Sequence, residues 1–125
     1  MDTDEIVLTL PAEPRYGRVA RIAAAHLALR KGFSLTEIDD LRLAIDEAII
    51  LLLGPGVQPG ELTVHYRVGG DTIVVELERA NPGELLPDER ITRFKSIIAG
   101  LVELDELVAD GSLLRLTKHR TLPAA

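Results

Sequence analysis

The stretch from residue 34 to residue 54, SLTEIDDLRLAIDEAIILLLG, constrains the fold most, because it carries its own start signal, its own buried stripe and its own stop. Ser34 is a good N-cap and Glu37, three residues on, completes a capping box, while Gly54 followed by Pro55 ends the helix. Ile38, Leu41, Ile45, Ala48, Ile49 and Leu52 recur at steps of three and four and form one apolar stripe. The end of the helix differs: residues 49 to 53 are apolar without a break, so every face of the last turn is expected to need cover from core, a partner or a filled pocket.

The flanking segments supply the other layer. Ile6, Leu8 and Leu10 alternate with Glu5, Val7 and Thr9 before Pro11 and predict a first strand. From Pro14 to about Lys31 the pattern is helical, with Tyr16, Val19, Ala20, Ala23 and Leu27 as the inward stripe. The segment GPGVQPG, residues 54 to 60, reads as a loop. Leu62, Val64, Tyr66 and Val68, then Ile73, Val75 and Leu77 across Gly69-Gly70, predict a β-hairpin. After a loop at residues 79 to 87, a third helix is expected from Asp88 to about Val102, with Ile91, Phe94, Ile97, Ile98 and Leu101 inward. Residues 104 to 108 and 113 to 118 flank Asp110-Gly111 as a last strand pair, and the final PAA is expected to fray. The order β-α-α-β-β-α-β-β predicts an α+β fold, a single domain over residues 1 to 125 with a mixed, mostly antiparallel sheet and its helices on one face.

Composition removes several functions. The formal net charge is -6, and two Tyr, two Phe and no Trp leave no aromatic platform, which argues against nucleic acid as a direct ligand. Without cysteine there are no disulfides, thiolate metal sites or thiol nucleophiles. The N-terminus lacks the features of a signal peptide, and no apolar run approaches the ~20 residues of a membrane span, so a cytoplasmic protein is expected. His26, His65 and His119 show no metal or triad spacing and are expected to be surface residues or locally satisfied, and no metal site is expected. Asp39 and Asp40 sit about two turns, roughly 11 Å, from Asp46 and Glu47, too far to share a cation.

Charge is unevenly placed. Arg15, Arg18, Arg21, Arg30 and Lys31 lie on or beside helix one with Glu13 as the only nearby acid, whereas helix two carries Glu37, Asp39, Asp40, Asp46 and Glu47. A solvated helix face accounts for this pattern, and so does a surface for an acidic partner, to which arginine is suited by its bidentate geometry.

The element order, Arg21 within RVARIAAAHLA, GFS at residues 32 to 34 and DDLRLAIDEA at residues 39 to 48 together resemble the anti-sigma-factor and serine-protein-kinase branch of the histidine-kinase-like (GHKL) ATPases, the RsbW type. The resemblance implies a two-layer α/β sandwich of the Bergerat type that binds ATP-Mg between helices and sheet. It also implies a homodimer that captures a sigma factor and releases it when an anti-anti-sigma partner of the STAS type is engaged and phosphorylated. By resemblance Arg21 is the helix-one arginine that meets the partner, and Arg18 is its neighbour by spacing. Glu47 occupies the place of the family's base, and Asn81 and Gly83 fall in its second nucleotide box.

The nucleotide boxes depart from the family. Four residues after Glu47, where the family has an asparagine that ligates magnesium, stands Leu51, which has no side-chain oxygen. The adenine-binding aspartate is replaced by Arg79, which has donors and no acceptor. A Gly-rich phosphate lid is missing between residues 84 and 100. Phosphoryl transfer depends on metal and charged groups around the moving phosphate. The expectation is therefore a pseudokinase without cofactor, a protein-binding regulator of transcription in which Glu47 is a relic base on a solvated carboxylate. The alternatives are an active ATP-dependent serine-protein kinase of the same branch, with Glu47 and Asn81 as ligands, and a dimerisation module built on the apolar end of helix two or on strand one.

Overall fold

A computed structural model describes residues 3 to 54, 59 to 80 and 84 to 121. One five-stranded sheet runs in the order β1-β2-β3-β5-β4, from strands β1 (Asp4–Pro11), β2 (Glu61–Gly69), β3 (Thr72–Arg79), β4 (Glu103–Leu107) and β5 (Leu113–His119). Every pairing is antiparallel, so the sheet is antiparallel throughout rather than mixed. Helices α1 (Gly17–Arg30), α2 (Leu35–Leu53) and α3 (Asp88–Ile98) make the other layer. The alternation in β2 and β3 puts Leu62, Val64, Tyr66, Ile73, Val75 and Leu77 into the core with Leu114 and Leu116 of β5. The predicted α+β sandwich is the fold found.

Helix α2 forms for the local reasons legible in its sequence. The Ser34 hydroxyl accepts from the Glu37 amide at 3.1 Å and the Glu37 carboxylate accepts from the Ser34 amide at 2.7 Å, which closes the capping box. All six residues of the stripe are buried. The last turn is not covered on every face, as the unbroken apolar run had implied, because Ile50 remains exposed. Leu51, Leu52 and Leu53 are buried.

Helix α1 is rolled relative to its expected orientation. A short 3-10 turn, Pro14–Tyr16, precedes it, and its buried residues are Gly17, Ala20, Ala24 and Ala28. Of the expected stripe only Ala20 is fully buried, and Val19 faces solvent. Two contacts explain the roll. The Tyr66 hydroxyl, buried under the helix, donates to the Ala20 carbonyl at 2.8 Å. At the start of the helix, a Cβ on Gly17 would stand 3.1 Å from Ile49 Cδ1, tighter than an ordinary contact, so glycine suits this approach to α2. Small side chains let α1 lie close to its neighbours, and its larger apolar residues are turned outward.

Helix α3 stops at Ile98, four residues short of the expected end. Ala99 is extended (φ -57, ψ 126) and Gly100 takes φ +81, a left-handed geometry that suits glycine and ends the helix. Phe94 and Ile98 are buried, whereas Ile91, Ile97 and Leu101 are half-buried. The expected fraying of residues 123 to 125 and most of the GPGVQPG loop lie outside the described residues.

The sheet face away from the helices carries an alternating charge ladder across all five strands. Glu5 of β1 accepts from Arg67 of β2 at 2.9 Å, Arg67 and Arg115 both reach Glu76 of β3, and Arg115 of β5 also reaches Glu106 of β4 at 3.1 Å. Burial alone would raise the Glu76 carboxyl, but the two guanidiniums prevail and hold it below the ordinary carboxylate range. Burial likewise disfavours the charged form of Glu37, but amide hydrogen bonds from Ser34 and Thr121, with the hydroxyls of the same residues, hold it down to about 2.

Two outcomes follow for stability. Tyr66→Phe removes one hydrogen bond while Ala20 keeps its helical carbonyl partner, so it should cost about 1 kcal/mol in urea unfolding. Because Glu37 is more acidic folded than its ordinary 4.5, its contribution is complete above that value and drains as pH falls toward about 2. The urea midpoint should therefore fall less between pH 5 and pH 3 in Glu37→Gln than in the parent chain.

Candidate functional site

The carbonyl end of α2 is where the sequence-derived site is centred, and the structure fills it with arginine. Helix α2 has no basic residue in its own last turn. Its terminal carbonyls, the negative end of the helix dipole, are met by two cations from elsewhere. Arg79, at the end of β3 and only 7% exposed, donates from Nη1 to the Leu52 carbonyl at 3.1 Å. Arg90, in the first turn of α3, donates from Nη2 to the Ile50 carbonyl at 2.9 Å and to the Leu51 carbonyl. Its guanidinium also lies beside Gly54, and Pro14, Ile50, Gly54 and Arg90 line a small apolar cleft of about 350 Å³.

Leu51 is 2% exposed and belongs to the hydrophobic core. Its side chain fills the protein rather than facing a partner, and its carbonyl is taken by Arg90. A hard cation needs oxygen ligands, and adenine recognition of the kind the resemblance implies needs an acceptor. Leu51 and Arg79 supply neither, so the residues at these positions do not fit ATP-Mg as the family holds it. Asn81 and Gly83, the other expected nucleotide residues, lie outside the described residues.

Glu47 is on the helix face beside this end, but it is not the solvated carboxylate expected. Its side chain is largely covered and accepts from Arg93 Nη1 of α3 at 3.1 Å. It borders a cleft of about 410 Å³ together with Arg18, Arg21, Leu43, Asp46 and Ile50. Arg21, half-buried, donates to Asp46 at 2.9 Å and so ties α1 to α2. Arg18 is exposed and has no ion pair among the described residues. The two arginines expected together are therefore neighbours with different duties, one a structural pair and the other an open cation.

The remaining acids of α2 are also committed locally. Asp40 pairs with Lys118 of β5 at 3.2 Å, and Asp39 pairs with Arg42. Lys118 in addition donates to the Leu101 carbonyl. The sequence reading missed one cluster: His65, Glu76 and Glu78 come within 4.8 Å of one another on the open sheet face, brought together by the β2-β3 register. The opposition of His65 to Glu76 follows from hairpin pairing, a signal available once the glycine turn is placed. Glu76 is already held by Arg67 and Arg115, whose positive charge opposes a cation there. His119 sits 3.3 Å from Glu103, and His26 is exposed on α1.

Three helices over a five-stranded antiparallel sheet are consistent with the histidine-kinase-like α/β sandwich that the resemblance implies. Among curated proteins it is similar to several of the RsbW type. It is 38% identical over 77 residues to "Serine-protein kinase RsbW" of Listeria innocua, covering 59% of this chain and 49% of that protein. The protein of the same name from Oceanobacillus iheyensis is 26% identical over 121 residues, 86% of this chain and 77% of the relative. In Bacillus subtilis the figures are 29% over 77 residues, 59% and 48%. The chain thus spans about half the length of most of the curated relatives it matches. No protein-family model matches it. No helix among the described residues is long and apolar enough to cross a membrane.

Replacing Arg79 by Leu should leave the Leu52 carbonyl without its buried charged donor and cost about 1.5–3 kcal/mol, read as a lower urea midpoint with unchanged slope. Arg90→Ala, at a more exposed site, should cost less.

Proposed function

We propose that the chain is an anti-sigma-factor-like regulator of transcription that acts in the cytoplasm by binding protein, without ATPase or kinase activity. The partner proposed is a sigma factor or an anti-anti-sigma protein of the STAS type. The observation that carries this reading is the closure of the α2 carbonyl end by Arg79 and Arg90 over a buried Leu51. Groups that would have to receive adenine and magnesium are instead engaged in holding the helix. The partner surface is assigned to Arg18 and Arg21 at the start of α1, where Arg18 is open to solvent and the neighbouring acids are paired. A homodimer, as the resemblance implies, is part of the proposal.

A second reading is favoured by the names of the relatives, which are called serine-protein kinases. In that reading the chain binds ATP-Mg and transfers phosphate, with Glu47 released from Arg93 to act as base.

Isothermal titration of the purified chain with ATP-Mg, with ADP as control, separates the two. No heat at millimolar nucleotide is expected, and saturable micromolar binding would overturn the noncatalytic reading and make phosphotransfer, with its loss in Glu47→Ala, the next measurement. Arg18→Glu should weaken capture of a sigma or STAS partner without lowering thermal stability.

A further inference from the structure

The roll of α1 leaves a row of apolar side chains on the outside of the molecule. Val19, Ile22 and Leu29 are 42, 57 and 61% exposed, and His26 lies between the last two. Positions 19, 22, 26 and 29 are spaced three, four and three residues apart, the spacing of a coiled-coil seam. Single exposed apolar residues are ordinary, but here they share one helical line while alanines occupy the buried side of the same helix. Burial of Ile22 and Leu29 in place of the alanines would have released more apolar area from water, but the close approach at Gly17 and the Tyr66 hydroxyl set the roll and leave this row uncovered.

Charge identifies the occupant. Helix α1 contains no acidic residue, and Arg18 and Arg30 flank the seam at its two ends, with Lys31 immediately beyond. None of these three cations has an ion pair among the described residues, whereas Asp46 and Glu47 at the adjoining cleft are already taken by Arg21 and Arg93. A second copy presenting the same seam would set Arg18 and Arg30 against like charges. We propose that the outer face of α1 is a docking site for an amphipathic helix of another protein, one with an apolar seam bordered by Asp or Glu. The proposal deepens the protein-binding reading by naming the chemistry of the partner segment, but it does not depend on whether nucleotide binds.

The test uses the isotope-labelled full chain and a three-heptad peptide with Leu at the seam and Glu on both flanks, followed by amide chemical-shift mapping and fluorescence anisotropy. A matched peptide with Lys in place of Glu is the control. Shifts concentrated at residues 18 to 30 are expected, with affinity falling as salt rises and the Lys peptide at least about tenfold weaker. The double variant Ile22→Ser/Leu29→Ser, at exposed positions that leave the core intact, should lose at least about tenfold in affinity, and Arg18→Glu should weaken the acidic peptide selectively. Equal binding of both peptides, binding mapped elsewhere, or unchanged affinity in the double variant would overturn the proposal. So would a concentration-dependent dimer abolished by the same double variant, which would give the seam to a second copy. Failure here with no nucleotide heat would leave the noncatalytic reading standing, and success with tight nucleotide binding would leave only the docking site.

Discussion

The carbonyl end of α2 is the constraint around which the rest is arranged. A helix that ends partly in the core presents carbonyls and negative dipole charge that need donors where water is scarce. In this chain Arg79 from β3 and Arg90 from α3 meet those groups, so one electrostatic requirement joins the sheet, the central helix and the third helix. The same contacts engage Arg79 and the Leu51 carbonyl, at positions where the resemblance would imply a nucleotide. Stability and the character of the site are therefore one fact seen from two sides.

The two faces of the helical layer divide the remaining work. Toward the sheet, alanines and Gly17 let α1 approach closely, and the Tyr66 hydroxyl fixes its roll. Away from the sheet, that roll leaves open cations and apolar side chains on α1, while the acids of α2 are paired inside the molecule. An overall charge of -6 thus coexists with a basic, partly apolar outer helix. The open sheet face is different again, with its ladder of Glu5, Arg67, Glu76, Arg115 and Glu106 satisfied from strand to strand.

Much of the fold was legible wherever a signal was local. The capping box of Ser34 and Glu37, the stripe from Ile38 to Leu52 and the alternation in β2 and β3 each depend on residues a few positions apart, and each appears where expected. Helix α3 was overextended because Ile97, Ile98 and Leu101 prolong an apolar pattern, although Gly100 carried the stop. The α1 stripe was misplaced for a deeper reason. Alanine and isoleucine score alike as apolar, and only the closeness of α2 and the Tyr66 hydroxyl, 46 residues away, decides which of them faces inward. Arg21 and Glu47, read from the sequence as belonging to different sites, border one cleft, and their partners Asp46 and Arg93 were not foreseen.

By itself the sequence determined the α+β layering, the bounds and stripe of helix two and the lack of an oxygen at Leu51 and of an acceptor at Arg79, because periodicity, capping and side-chain chemistry are properties of residues and short spacings. Tertiary structure decided what those deficits became. It turned Arg79 toward the Leu52 carbonyl 27 residues away, set Arg90 on the same helix end, and chose which side of α1 meets solvent. Hydrogen-bond partners and helix roll are set by distances across the fold, and those exist only once the layers have packed.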